Sequence, residues 1–224
     1  MLKIEQLTKI YGEKKAVDDL SLHIRPGEIY GFIGHNGAGK TTTMVALTEY
    51  INSTGKHAAI IANDLGANYI IDAEYSDRQN VEVTPIGGDC ICYIPDTLIE
   101  RIERLNREPK DLVMSDIPGC GIGALDHVYG NLDKNHKDEF TLAPFLVVTD
   151  PERLRMIMPE QADIHLPEEL KFLLDAQLKE ADCIVLNKID LMSDEEVDRY
   201  VKFLKEACPD IPVFPISAKE KIGL

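Results

Sequence analysis

Residues 34–41 read GHNGAGKT, which satisfies every fixed position of the phosphate-binding loop G-x-x-x-x-G-K-[ST]. An apolar run at 29–33 precedes the loop and a helix-like stretch at 42–50 follows it, as this loop requires. Its glycines let backbone N–H groups close around phosphates, and the helix N-terminus adds partial positive charge. The chain is therefore expected to bind a nucleoside triphosphate.

Residues in or directly after this loop are expected to bind the nucleotide: Gly34, Asn36, Gly37, Gly39, Lys40, Thr41 and Thr42. Lys40 can reach the β- and γ-phosphates, and the Thr41 hydroxyl can ligate Mg²⁺. A glycine-rich turn without a ligand is the alternative interpretation. The complete motif and both of its flanks argue against that alternative.

The rest of the chain alternates short apolar runs with helix-like stretches. Strands are predicted at 57–62, 81–84, 111–115, 144–149, 182–186 and 212–216. Helices are predicted at 41–53, 95–107, 151–158, 167–180 and 193–207. This alternation predicts an α/β P-loop NTPase fold, a mostly parallel sheet with helices on both faces and sites at the carboxyl ends of the strands. Leu2 to Tyr11 and Ala16 to Ile24 are expected to be appended antiparallel strands, and Leu132 to Glu139 a mobile surface loop.

Composition narrows the possible partners and compartment. The 224 residues suffice for a sizeable core, and the net charge of −15 argues against nucleic acid or an anionic membrane as the main partner. The N-terminus lacks an apolar signal core and no run reaches membrane-spanning length, so direct membrane insertion is not expected. The five cysteines, an odd number, favour a reducing cytoplasm over a disulfide framework.

A second motif, N-K-x-D, lies at 187–190, directly after an apolar strand. The Asp190 carboxylate can accept hydrogen bonds from guanine N1–H and from the exocyclic amine. Adenine would leave that carboxylate unpaired, and sites of this design can discriminate by about 10⁴. The candidate base-binding residues are Asn187, Lys188, Asp190, Ser217, Ala218 and Lys219, the last three following the next strand. A chance match on a surface turn is the alternative, which this placement disfavours.

A D-x-x-G pattern, Asp116 to Gly119, lies between those two motifs. Asp116 would hold Mg²⁺ through water, and the Gly119 N–H would sense the γ-phosphate. Residues 119–124 also match the dinucleotide fingerprint G-x-G-x-x-A. That interpretation is disfavoured because the phosphate loop already fills the same role.

Cys90 and Cys92 lie two residues apart after a predicted strand. Such a pair can bind Zn²⁺, Ni²⁺ or Co²⁺, with further ligands from Cys120, a histidine or a second subunit. Two small apolar side chains in a turn are the alternative. Three histidines are expected in loops or facing solvent: His35, His127 and His136.

From about Thr41 onwards the chain resembles the metal-chaperone GTPases of the CobW/HypB/UreG type. The resembling segments are 60–66, 71–72, 87–92, 116–119, 187–190 and 217–219. The resemblance implies GTP hydrolysis coupled to metal delivery, or to maturation of a metal- or corrinoid-dependent enzyme. It also implies a nucleotide-dependent homodimer, a client metalloenzyme or its accessory proteins as partner, and Asp64 and Asp72 near Mg²⁺ and the attacking water.

This sequence departs from the family pattern in three places. Tyr93 stands where the third cysteine of C-x-C-C belongs, and Asp116 stands where glutamate is common. The GTPase domain, expected over 28–224, is also expected to be truncated before a closing helix.

Residues 1–44 resemble instead the start of an ABC transporter ATPase, through the segments 7–12, 16–22 and 26–34. There Tyr11 would stack on adenine. Beyond the phosphate loop the L-S-G-G-Q signature, the glutamine loop and the switch histidine of that family are missing. The two resemblances meet in the shared loop, so the chain reads as a hybrid with ABC-like strands over 1–27. The alternatives are an ABC-type ATPase subunit, or a hybrid nucleotide-binding protein with little turnover.

Overall fold

The computed structural model describes residues 2–11, 14–24, 28–64, 81–87, 90–91, 93–105, 107–108, 110–118, 123–136, 141–158 and 167–224, and of residues 2–24 only the backbone. The strands are β1 (Leu2–Tyr11), β2 (Lys14–Ile24), β3 (Glu28–Ile33), β4 (Ala58–Asp64), β5 (Glu82–Gly87), β6 (Leu112–Asp116), β7 (Thr141–Leu142), β8 (Leu146–Thr149), β9 (Cys183–Leu186) and β10 (Val213–Pro215). The α-helices are α1 (Lys40–Ser53), α2 (Pro95–Leu105), α3 (Gly130–His136), α4 (Pro151–Arg155), α5 (Glu168–Glu180) and α6 (Asp194–Ala207).

The strands from β3 onwards form one sheet in the order β10-β9-β8-β3-β6-β4-β5, with the short β7 beside β3. Neighbouring strands in this sheet run parallel. β1 and β2 pair with each other in a separate antiparallel sheet. The predicted α/β fold with appended antiparallel strands is therefore confirmed.

Side chains on both faces of the sheet are buried, as expected for a parallel sheet covered by helices. Successive residues of β3 point to opposite faces, so Ile29 and Ile33 belong to one apolar cluster and Tyr30 and Phe32 to another. The Phe32 cluster includes the buried face of α1. The Ile33 cluster includes the buried faces of α2, α5 and α6. The two clusters hold the sheet between its helices, and they thereby position the loops at the carboxyl ends of the strands.

Local sequence explains the helix that follows the N-K-x-D motif. Ser193 caps α6 by accepting a hydrogen bond from the Glu196 N–H, and the Glu196 carboxylate accepts from the Ser193 N–H. This reciprocal capping box satisfies two backbone donors that a helix start would otherwise leave unpaired. Val197, Tyr200 and Leu204 then repeat at helical spacing and face the core.

The prediction of a mobile loop over 132–139 is wrong for its first half. Residues 130–136 form α3, which continues a π-helical turn at Leu125–Tyr129. Leu132 is buried in the Ile33 cluster and anchors this polar helix to the core, a contact that periodicity does not reveal. His127 and His136 consequently lie in helical segments and not in loops.

No helix in the described part of the chain combines the length and the apolar character needed to cross a bilayer.

Candidate functional site

The phosphate loop joins the carboxyl end of β3 to the start of α1. Lys40, the first residue of α1, is only 7% exposed, and its Nζ donates a 2.8 Å hydrogen bond to the Gly34 carbonyl. The same Nζ lies 3.8 Å from Oδ1 of Asp116. The loop thus folds around its own lysine, and places that cation beside a buried carboxylate on the neighbouring strand.

Gly39 shows why this loop needs glycine. Its φ is +90°, a left-handed conformation that other residues adopt only with strain. A Cβ there would also come within 2.3 Å of Nδ2 of Asn187, a residue of the N-K-x-D motif. Gly37 has a similar φ of +94° but open space around it. The backbone of the phosphate loop therefore packs directly against the predicted base-binding segment.

The candidate Mg²⁺ ligands sit at neighbouring strand and helix ends. Thr41 is the second residue of α1 and is partly buried. Asp116 is the last residue of β6, in register with Phe32, the residue before the end of β3. Asp64 ends β4, the next strand of the sheet, although its side chain lies outside the described residues.

Asn187 connects three segments that are distant in sequence. Its Nδ2 donates to the Ala38 carbonyl at 2.9 Å, and its Oδ1 accepts from the Ala218 N–H at 3.0 Å. Its own N–H donates to the Thr149 carbonyl at 2.9 Å. The buried amide therefore holds the phosphate loop, the N-K-x-D segment and the S-A-K segment together.

The remaining base-binding candidates lie around this junction. Asp190 is exposed in a 3₁₀ turn, Ile189–Leu191, that begins immediately after Lys188. Ser217 is buried, and its hydroxyl accepts from the Glu220 N–H at 3.1 Å. Lys219 is exposed beside it. The junction thus combines a hydrogen-bonded backbone with the accessible Asp190 carboxylate, the arrangement that base recognition by this residue requires.

Two residues that the sequence did not single out as partners, His35 and Asp150, lie between these motifs. His35 was expected to point to solvent, and this expectation is wrong. Its Nε2 lies 3.2 Å from Oδ1 of Asp150, and its side chain is 11% exposed. The aspartate is buried, and its other oxygen, Oδ2, accepts from Lys188 Nζ. An acidic residue between an apolar strand and a proline was the available signal, because that position predicts a helix cap.

The thiol turn, defined here as Cys90, Ile91 and Tyr93, follows β5. Cys90 is buried, and the Tyr93 N–H donates to its carbonyl at 2.8 Å. Asn63, next to the end of β4, accepts from the Ile91 N–H at 2.9 Å through Oδ1. Its Nδ2 donates to the Ile86 carbonyl at 3.3 Å. One buried amide thereby fixes the turn against the strand that carries Asp64.

A complete metal cage is not formed by the described residues, among which no three His, Cys, Asp or Glu side chains cluster. Cys92 and Cys120 fall outside them. Elsewhere, burial together with the nearby Asp182 charge raises the pKa of the Cys183 thiol to about 11. Burial also raises the pKa of the Cys208 thiol. A protonated thiol is a poor metal ligand, so both of these thiols are less suited to binding a metal than an unperturbed cysteine.

Several predicted site residues cannot be placed. Asp72, Gly119 and Cys92 lie outside the described residues, as does the side chain of Tyr11, whose backbone ends β1. The phosphate-loop residues Asn36 and Gly37 are exposed, and Thr42 is partly buried in the first turn of α1. The structure therefore brings together the phosphate, base and Asp116 segments, with the thiol turn fixed to a neighbouring strand.

The fold and these loops define the class of the protein, a P-loop NTPase with a mostly parallel sheet. A family model described as CobW/HypB/UreG, nucleotide-binding domain, matches residues 28–215, and the chain belongs to this family. The resemblance stated from the sequence is confirmed, over a range that also includes β3 and the phosphate loop.

Solved structures with this fold include two that are informative here. HypB from Helicobacter pylori in complex with nickel is 16% identical with a TM-score of 0.58, over 86% of this chain and 80% of that chain. The signal recognition particle receptor FtsY from Elizabethkingia anophelis in complex with GDP is 16% identical with a TM-score of 0.60, over 89% of this chain and 59% of that chain. At these identities the similarity concerns the fold.

Several curated relatives match a segment that is less than half of the chain. An ABC transporter ATP-binding protein of Methanocaldococcus jannaschii is 47% identical over 62 residues, which are 25% of this chain and 24% of that protein. The chain covers 22% of the bacitracin transport ATP-binding protein BcrA of Bacillus licheniformis, and so spans about a quarter of the length of these two relatives. The ABC resemblance is thus confirmed for a short segment, whereas the metal-chaperone family covers most of the chain.

Proposed function

We propose that the protein binds GTP with Mg²⁺ and hydrolyses it, and that hydrolysis serves metal delivery to, or maturation of, a metal- or corrinoid-dependent enzyme. Nucleotide binding follows from the family to which the chain belongs. The preference for guanine and the catalytic turnover are the parts proposed here, as are the client metalloenzyme or its accessory proteins.

One observation carries the proposal for guanine. The Asn187 side chain bonds both the phosphate loop, at Ala38, and the S-A-K backbone, at Ala218. A nucleotide whose phosphates lie in the loop therefore has its base near the turn that carries Asp190. A carboxylate at that position favours guanine, because guanine offers two donors where adenine offers an acceptor.

Thr41 and Asp116 fit Mg²⁺ by chemistry, since hydroxyl and carboxylate oxygens are the donors this cation prefers. Both lie beside the buried Lys40, at the ends of adjacent elements. Mg²⁺, when bound, would neutralise charge on the phosphate oxygens. Lys40 would contribute a positive charge, and its burial and its hydrogen bond to Gly34 hold that charge within the phosphate loop.

The metal to be delivered is proposed to bind at Cys90 and Cys92, as Zn²⁺, Ni²⁺ or Co²⁺. Further ligands would come from Cys120 or from a second protomer, because two thiols do not complete a site. The nickel-bound HypB with the same fold supports a metal of this type. Cys90, Cys183 and Cys208 are free thiols, which suits a reducing cytoplasm.

A second candidate function comes from the ABC transporter matches, which favour adenine binding by the front of the chain. In this account residues 1–27 would contribute Tyr11 to the base. We infer instead that residues 28–224 form the nucleotide-binding domain and that 1–27 are an appendage. The family match from residue 28 onwards supports this division.

A steady-state assay of phosphate release with GTP and with ATP, in Mg²⁺, tests the proposed function. We expect turnover with GTP, a much lower rate with ATP, and a loss of about 100-fold or more in Lys40→Ala. Lys205→Ala, an exposed lysine of α6, is the matched control and should keep the wild-type rate. Equal turnover of both nucleotides, or turnover that persists in Lys40→Ala, would contradict the proposal.

A further inference from the structure

Asp150 lies at the carboxyl end of β8, the strand between β3 and β9 in the sheet. Its neighbours therefore include both the phosphate loop, which follows β3, and the N-K-x-D segment, which follows β9. The side chain is 1% exposed and contacts one residue from each: His35 Nε2 at 3.2 Å and Lys188 Nζ at 2.5 Å. A single buried carboxylate thus spans the two nucleotide-binding segments.

The same carboxylate also caps a short helix. Asp150 precedes α4, and its Oδ1 accepts a 3.0 Å hydrogen bond from the Arg153 N–H. Burial raises the pKa of Asp150, but its contacts with His35 and Lys188 and the hydrogen bond from the Arg153 N–H outweigh that effect and lower the pKa well below its usual range. Asp150 is therefore ionised at neutral pH. A buried charge of this kind is costly to leave without its partners.

The backbone of Lys188 is strained, and a contact that fixes its side chain helps to keep it in this conformation. Its φ of +65° is left-handed, which costs a residue other than glycine about 1–2 kcal/mol. The 3₁₀ turn with Asp190 starts at the next residue. The ion pair to Asp150 opposes relaxation of this strained residue, and so opposes movement of the turn.

We propose that Asp150 is a positioning residue for base recognition. Its carboxylate fixes Lys188, and through it the turn that carries Asp190, and ties this turn to the phosphate loop at His35. Asp150 itself contacts neither base nor phosphate in this account. The inference rests on the proposed function, because it assigns Asp150 a part in the preference for guanine.

A merely structural role as a helix cap can be separated from this one. Asparagine caps helices about as well as aspartate, so Asp150→Asn keeps the bond to the Arg153 N–H but removes the charge and the acceptor oxygen that Lys188 uses. Lys188→Met keeps the length of the side chain and its backbone preferences but removes the ammonium group. The two variants delete opposite ends of the same ion pair.

The test is a double-mutant cycle read by equilibrium titration with GTP and with ATP. We expect Asp150→Asn to weaken GTP binding about tenfold and ATP binding by less, with KM for GTP rising more than kcat falls. Lys188→Met should give a similar loss, and the double variant should lose little beyond either single one. Asp150→Ser, which also caps, should reproduce the result if the asparagine variant folds poorly.

The inference is overturned if Asp150→Asn keeps the wild-type ratio of GTP to ATP affinity, or if the two losses are additive. The first result would leave Asp150 as a cap alone, and the second would show that it does not act through Lys188. Failure of the proposed function is a different result, in which the wild type itself binds ATP as tightly as GTP. The coupling between Asp150 and Lys188 is still measured in that case, because the cycle can be read with either nucleotide.

Discussion

The phosphate loop and the thiol turn are both held by one buried asparagine, but in different ways. Asn187 reaches the phosphate loop from a strand that lies two positions away in the sheet. Asn63 bonds Ile86 of β5 and Ile91 just beyond it, and β5 is the neighbour of its own strand. The first asparagine joins distant segments into one site, whereas the second fixes a local turn.

This difference indicates how complete each site is without its ligand. Around the phosphate loop, Lys40 and Asp116 are buried next to each other and Gly39 has the left-handed backbone that the loop requires. The thiol turn has a fixed backbone, but the described residues supply only Cys90 as a thiol. We infer that the nucleotide site is preformed, and that metal binding depends on groups brought by Cys92 and by another segment or protomer.

We expect the largest effect from a substitution that adds a side chain at Gly39, where the phosphate loop packs against Asn187. Gly39→Ala places a methyl group where Nδ2 of Asn187 lies, in addition to straining the left-handed backbone. Titration with GTP should show an affinity at least about 100-fold below that of the wild type, because the asparagine must move and release both of its partners.

Gly55→Ala is the matched control for that variant. Gly55 has a φ of +81°, close to the +90° of Gly39, but nothing lies within 4 Å of its added Cβ. This variant should lose about 1 kcal/mol of unfolding free energy and keep the wild-type GTP affinity. If both alanine variants weaken GTP binding equally, backbone strain alone explains the effect and the contact with Asn187 does not.

A smaller effect is expected at the thiol turn. Asn63→Ala removes the acceptor for the Ile91 N–H and should lower the affinity for Zn²⁺ about five- to tenfold, measured by competition with a chelating dye. Cys90→Ser, which deletes a proposed ligand, should lower it further. The free energy of unfolding should fall by about 1–3 kcal/mol in Asn63→Ala, because a buried backbone donor loses its partner.

Asn52→Ala provides the comparison, since Asn52 Oδ1 accepts from the Ala58 N–H at 2.9 Å, away from the thiols. It should destabilise the fold to a comparable or smaller degree and leave Zn²⁺ affinity unchanged. Equal losses of Zn²⁺ affinity in the two variants would show that Asn63 acts through general stability and has no specific effect on the turn.

The sequence predicted those parts of the site whose functional residues are contiguous in the chain. The phosphate loop and the N-K-x-D segment each have fixed spacing, and their strands precede them directly. Local sequence patterns do not determine the order of the strands in the sheet, and this order determines which loops lie next to each other. Asp150 could be recognised as a helix cap, but its contact with His35 requires β8 to lie beside β3.

The error at α3 has a related cause. A helix with one buried leucine, Leu132, carries almost no periodic signal, and its polar residues are those of a surface loop. The prediction that His35 points to solvent was wrong for a similar reason. Its inward orientation depends on the buried carboxylate of Asp150, which is distant in the sequence. Local patterns thus predicted the elements, whereas long-range pairings determined how the site is assembled.

The central claim is that Asp190 selects guanine at a turn held against the phosphate loop. Calorimetric titration of GTP and ATP in Mg²⁺ tests it most directly, on the wild type and on Asp190→Asn, with Tyr11→Ala as the comparison. We predict that the wild type binds GTP at least about 100-fold more tightly than ATP, and that Asp190→Asn loses most of this ratio. Tyr11→Ala should leave this ratio unchanged, since stacking on an aromatic ring accepts either purine. Equal affinity of the wild type for GTP and ATP would contradict the account.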